Sequence, residues 1–310
     1  MAIYKDKKLL VGAGLLFCAF LILQFIQPVN SEHLYSPFND IKFEFFAILA
    51  VSIVPFYEEF IFRGVFNRNN IIKIIALVLC FFFIFFLFES MVIYGLYIIM
   101  GLSLVISFKK KGYFRIILFC TNALLFAIIH ESIFEIEFLI TRPAVYYRTA
   151  LAFVFIWIAI NFNYFKAVMA HAINNLVSVI MILIRLQFVE TTESTYSNEN
   201  LKITYSEVPI FKSNQARIKY AEDTIYIKNL SLPRIHQQLL LAEGRLNETM
   251  WYKNQYKKYN IILSNVEDTN KPISKLFLDF MIQRELAIKS PTPTKNRQLN
   301  PLIPRREQVF

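Results

Sequence analysis

The chain has 310 residues, 56% hydrophobic and 18% charged, with a mean hydropathy of +0.44, against about 25% charged residues in ordinary soluble domains. That balance excludes a disordered, collagenous or coiled-coil architecture, and three cysteines (Cys18, Cys80 and Cys120), all in apolar runs, exclude a disulfide scaffold. The net charge of +10 comes with no basic stripe interleaved with aromatics, so no nucleic-acid partner is expected; it reads as basic loops that set membrane topology and touch anionic lipid.

The first 190 residues form a series of apolar runs. Leu9–Gln27 carries no charge. No small-residue cleavage site follows it, so a retained first helix is expected rather than a signal peptide. A second run starts near Phe45, passes Glu58 and Glu59, and ends near Phe66. Ile71–Phe88, Met91–Phe108, Phe114–His130, Thr149–Phe162 and Tyr164–Leu186 follow. Roughly 20 apolar residues cross the hydrocarbon core, so about seven transmembrane helices are expected. The 149–162 run is short and is read as tilted, re-entrant or extended by its flanks. Phe occurs 32 times and Gly 7 times, which suits lipid-facing helices.

Seven spans place 11 basic residues on one side and 4 on the other. Basic loops favour the cytoplasm, which puts the N-terminus inside and the C-terminal region outside. The abundance of Phe, Ile, Asn and Lys favours a bacterial plasma membrane. The protein is thus read as an integral multi-pass membrane protein.

Composition shifts after Glu190. Residues 191–200 are rich in Thr, Ser, Asn and Glu and read as a linker. Residues 201–289 read as a small soluble α+β domain that could recruit substrate or bind a protein partner. Strands are predicted at Arg217–Tyr220 and Thr224–Lys228, helices at Ile235–Met250 and Ile273–Leu286. The Pro-rich end, 290–310, reads as disordered. The fold class is therefore an all-α polytopic membrane protein with a small C-terminal α+β region. Residues 1–40 supply the first helix and a loop, and 41–190 the membrane core.

Ionisable groups inside apolar spans are costly, about 2.5–3.5 kcal/mol for a central Asp, Lys or Arg, so three clusters stand out. In Glu58-Glu59-Phe60-Ile61-Phe62-Arg63, Glu59 and Arg63 lie one helical turn apart and pair. Glu58 points about 140° away from Arg63 and is free to act as a general base. In Phe126-Ala-Ile-Ile-His130, the ring can buttress the imidazole. In His171-Ala-Ile-Asn-Asn175, His171 and Asn175 share a face and offer two donors. Each cluster alone also has a plain reading: an interfacial charge cluster, a packed histidine, or interhelical hydrogen bonding. His33 and His236 fall in loop or tail contexts.

EExxxR, FxxxH and HxxxN, in that order on separate membrane helices, resemble the CPBP family of intramembrane proteases. That family includes type II CAAX prenyl endopeptidases and bacterial bacteriocin-processing (Abi) proteins. The resemblance covers roughly residues 41–186, and Phe62-Arg63-Gly64 matches the sequence that usually follows the paired glutamates. It implies that Glu58 activates water, assisted by His130. His171 and Asn175 would stabilise the oxyanion, with Glu59, Arg63 and Phe126 in support. The chain departs from the family in an apparent extra helix pair at 71–108 and in the soluble tail.

The resemblance implies an endopeptidase acting on a membrane-associated peptide or protein, with no cofactor. Zinc held by Glu58, His130 and His171 is the nearest variant. A proton-coupled transporter and a catalytically silent scaffold or immunity protein are the competing classes.

Overall fold

The structure is a computed structural model. It describes residues 6–26, 42–88, 90–107, 112–131, 143–198, 201–212, 215–245, 250–252, 256–264 and 271–289. The chain divides into two compact units, residues 1–30 with 43–181, and residues 31–42 with 182–310.

The described part of unit 1 is helical. Its helices are α1 (Lys8–Ile26), α2 (Phe43–Phe66), α3 (Asn70–Leu87), α4 (Met91–Ser107), α5 (Tyr113–Glu131) and α6 (Pro143–Asn161). Helix α7 (Tyr164–Gln187) starts in unit 1 and ends in unit 2. All seven expected runs are helical, and the short 149–162 run is extended by its N-terminal flank, starting at Pro143. Proline suits a first turn, where its missing N–H leaves no bond unmade.

Four helices, α2, α5, α6 and α7, have the length and apolarity to cross a membrane. The apolar stretches of α1, α3 and α4 are shorter, so seven crossings are not established on length and composition. The helices expose large apolar side chains, among them Ile74, Phe82 and Phe86 on α3, while Ile61, Phe62, Ala76, Cys80, Met100, Leu125 and Ile156 fill the core. Outward apolar faces suit a lipid solvent.

Helix α2 positions the site, and it is not uniform. Leu49–Ile53 forms a π-turn, and Pro55 follows it. A proline ring in an α-helix clashes with the carbonyl four residues back, here Val51, and removes a hydrogen bond. A wider turn relieves that clash. The far end of α2 tightens into a 3-10 turn at Gly64–Phe66. There α3 comes very close, since a Cβ on Gly64 would stand 2.6 Å from the Ala76 Cβ. Gly64→Val is therefore expected to cost about 1–3 kcal/mol by overpacking. The check is a lowered unfolding midpoint in detergent; an unchanged midpoint would contradict the close approach.

Unit 2 carries an antiparallel five-stranded sheet in the order β1-β2-β6-β4-β3, built from Ser194–Ser197, Lys202–Val208, Lys258–Ser264, Thr224–Ser231 and Arg217–Ala221. Strands β5 (Met250–Tyr252) and β7 (Ala287–Lys289) form a second pair. Helices α8 (Leu232–Ala242) and α9 (Ile273–Gln283) pack with Ile203, Ile227, Ile261 and Leu263 around Phe277 and Phe280. Burial alternates along β6, as period-two side chains require.

The α+β reading of this region holds, with corrections. Strand β1 lies inside the expected linker at 191–200 and pairs with β2. The division between the two compact units falls inside α7, after Met181. Helix α8 stops at Ala242, not Met250, and His236 is buried, its Nδ1 2.7 Å from the Tyr252 hydroxyl. His33 and the 290–310 segment lie outside the described residues.

Candidate active site

Three helices of unit 1 bring the three sequence clusters together. Helix α2 supplies Glu58, Glu59 and Arg63, α5 supplies Phe126 and His130, and α7 supplies His171 and Asn175.

The expected ion pair is present. Arg63 Nε lies 3.3 Å from Glu59 Oε2, and both side chains are fully buried. The guanidinium carbon sits 4.4 Å from the centre of the Phe126 ring. A desolvated cation over a ring face contributes about 2 kcal/mol. Phe126 thus braces both Arg63 and His130: its ring centre is also 4.4 Å from that of His130.

Glu58 lies between the two imidazoles. Its Oε1 is 3.2 Å from His130 Nε2, and its Oε2 is 3.6 Å from His171 Nε2. His130 Nδ1 is 2.7 Å from the Phe126 carbonyl oxygen. A carbonyl only accepts, so Nδ1 carries a hydrogen and donates it. Nε2 and the Glu58 carboxylate can then bond only through one further proton. Either the carboxyl donates to a neutral ring, or an imidazolium donates to a carboxylate. Glu58 and His130 are therefore a proton-sharing pair.

His171 ties both glutamates together. Its Nδ1 is 3.0 Å from Glu59 Oε1, and its ring stacks on Phe155 at 4.9 Å and 19°. With Glu59 held by Arg63, Nδ1–H is the donor, and Nε2 faces Glu58. Glu58 Oε2 accepts no hydrogen bond among the described residues.

Asn175 has a commitment that its spacing from His171 does not show. Its Nδ2 donates to the Ala50 carbonyl at 2.9 Å, inside the π-turn of α2. A polar side chain on a neighbouring helix is the usual means of satisfying backbone groups freed by such an irregularity in an apolar setting. Asn174 Nδ2 lies 3.4 Å from Asn175 Oδ1, and Tyr147 donates to Asn174 Oδ1 at 3.1 Å. One amide hydrogen of Asn175 is thus spent on holding α2 to α7.

No family model, curated protein or solved structure matches the chain.

Several supporting residues escape sequence reasoning. Asn122 is fully buried, and its Nδ2 donates to the Phe62 carbonyl at 2.7 Å, one of the acceptors left open where α2 tightens. Tyr164 donates to the Phe56 carbonyl at 2.7 Å. Neither stands in a recurring motif. Pro55 was the legible signal for the π-turn, and through it for the bond made by Asn175.

Among the described residues, His, Cys, Asp and Glu form no group of three placed to hold an ion. Glu58 engages the imidazoles directly.

Proposed function

We propose that the protein is a glutamate-dependent intramembrane endopeptidase of the CPBP type, acting on a membrane-associated peptide or protein. One observation carries the reading. The Glu58 carboxylate has one oxygen on the proton-sharing His130 and the other without a hydrogen-bond partner among the described residues, in a cluster walled by apolar helices.

The chemistry follows from these atoms. Glu58 Oε2 takes a proton from water as the water oxygen attacks the scissile carbonyl carbon. His130 holds the shared proton on the far side of the carboxylate. The carbonyl oxygen becomes an oxyanion and accepts from Nε2–H of a doubly protonated His171, while Nδ1–H stays with Glu59. The second amide hydrogen of Asn175 is the other donor. Preorganised donors of this kind each contribute about 10²–10³ in rate. Collapse of the tetrahedral intermediate breaks the C–N bond, and the leaving amine takes a proton from the Glu58–His130 pair.

In this reading all seven apolar helices of 1–187 cross or enter a bacterial plasma membrane. The N-terminus is cytoplasmic and the C-terminal region external, available to a protein partner. The α3–α4 pair is an insertion between the first and second motifs that keeps the parity of later helices.

The same proton-sharing pair also favours a second reading, a proton-coupled transporter, since intramembrane Glu and His form relays. Purified protein in proteoliposomes separates the two. The protease reading expects new peptide N-termini and no Glu58-dependent proton flux. Flux lost in Glu58→Gln, without cleavage, would reverse the assignment. Cleavage is further expected to persist in excess chelator. Loss on chelation, restored by zinc, would place a metal on Glu58, His130 and His171.

A further inference from the structure

Unit 1 contains a cavity of about 670 Å³, beyond the C-terminal end of the paired glutamates, that the hydrolytic chemistry does not use. Arg63, Arg68, Lys73 and Arg115 line it, and no acidic side chain does among the described residues. Its remaining wall is largely apolar, with Leu118 and Phe119 buried.

Arg63 supplies the second observation. Arg63 is 1% exposed, and its Nη1 and Nη2 make no hydrogen bond among the described residues. Only its Nε edge turns to Glu59. Buried donors of this kind are normally satisfied, because each unmet one costs about 1–3 kcal/mol. Two parallel N–H groups are the fork that takes two oxygens of a phosphate.

The other cations differ in what they already hold. Arg115 pairs with Asp6 at 2.6 Å, and Lys73 donates to Asn70 Oδ1 at 3.2 Å. Arg68 is exposed at the mouth of the cavity. The site thus offers the buried Arg63 among its lining residues, further cations, and an apolar side wall.

We propose that this cavity binds a phosphate group, carried by an anionic phospholipid whose headgroup enters beside Arg63 and Arg68. The mixed lining selects the lipid over free phosphate: the cations take the phosphodiester and the apolar wall takes the glycerol and upper chain. Basic pockets between membrane helices recognise headgroups by this chemistry. The site stands independently of the protease reading. The two meet at Arg63, which lines the cavity and pairs through Nε with Glu59.

The test uses the full-length protein, delipidated in a neutral detergent. Phosphatidylglycerol, phosphatidylcholine and inorganic phosphate are titrated separately, with the unfolding midpoint and native-mass adducts as readouts. The expected result is one retained phosphatidylglycerol and a raised midpoint, with phosphatidylcholine inactive. Arg68→Gln with Lys73→Gln should weaken that binding roughly 30-fold, at about 1 kcal/mol for each cation. Arg68→Lys should retain most of it. Lys219→Gln with Lys228→Gln, the same charge loss on the exposed sheet of unit 2, should have no effect.

A midpoint raised by inorganic phosphate, lost in the cavity variant and unmatched by phosphatidylglycerol, would keep the phosphate site and reject the lipid source. Equal binding of the two lipids with no phosphate response would overturn the proposal. So would undiminished binding by a cavity variant whose ligand-free midpoint equals that of wild type.

Discussion

Glu58→Gln is expected to lower peptide-bond hydrolysis by about 10²–10⁴-fold, the usual contribution of a positioned general base. The substitution keeps shape and volume. The amide can still donate to His130 Nε2 across the 3.2 Å contact, so the helices should remain in register. The loss should therefore fall on turnover, with the unfolding midpoint unchanged. His130→Gln breaks the same proton-sharing pair from the other side and should give a loss of similar size. Combining the two should add little, because residues that act as one unit are not additive. Fully additive losses would show that Glu58 and His130 act separately.

Glu59→Ala is expected to carry the largest cost to stability, about 3–5 kcal/mol, because it leaves the Arg63 guanidinium buried and uncompensated. Replacing both partners, as Glu59→Met with Arg63→Met, should recover most of that loss. Two desolvated charges are then exchanged for packed apolar volume against Phe126 and Phe155. Activity should not recover with it. The double variant still lacks the Glu59 oxygen that holds His171 Nδ1 at 3.0 Å. Denaturation in detergent micelles, followed beside cleavage of one substrate, reads the two effects apart. A double variant that regains both would reduce Glu59 to a partner for Arg63 alone.

The parts of the site legible in the sequence are those fixed by helical geometry. Glu59 and Arg63 are four apart, so their pairing follows from the turn of the helix. Phe126 and His130 share a face for the same reason, and their rings do touch. The meeting of α2, α5 and α7 is a tertiary fact, and no spacing within one helix encodes it. Family resemblance alone pointed to it, by placing the three motifs in one site. The bridging role of His171 was hidden for the same reason. Sequence geometry separates Glu58 from Glu59, whereas one imidazole on another helix faces both.

Asn175 shows how a pattern can mislead. Four residues after His171, it looks like a second donor aimed at one point. Its first commitment is to Ala50, and that bond exists because Pro55 disturbs the helix upstream. In unit 2, a local signal ends α8 at Ala242, short of the expected Met250. Gly244 adopts φ +68°, and the N–H groups of Gly244 and Arg245 return to the carbonyls of Leu241 and Leu240. That is a glycine-dependent helix stop, and the glycine was in plain view. Strand β1 was harder to see, because Ser194–Ser197 is polar and mostly exposed at a sheet edge, with no apolar alternation to betray it.

The central claim is that Glu58 drives hydrolysis of a membrane-associated substrate. The most direct measurement compares the N- and C-termini of membrane proteins, by mass spectrometry, in cells expressing wild type or Glu58→Gln at matched levels. The account predicts a defined set of cleavage products present with wild type and absent with the variant, and those products name the substrate. Identical termini in the two strains, under conditions where Glu58→Gln still restores the phenotype of a deletion, would contradict it and leave the protein a scaffold without catalysis.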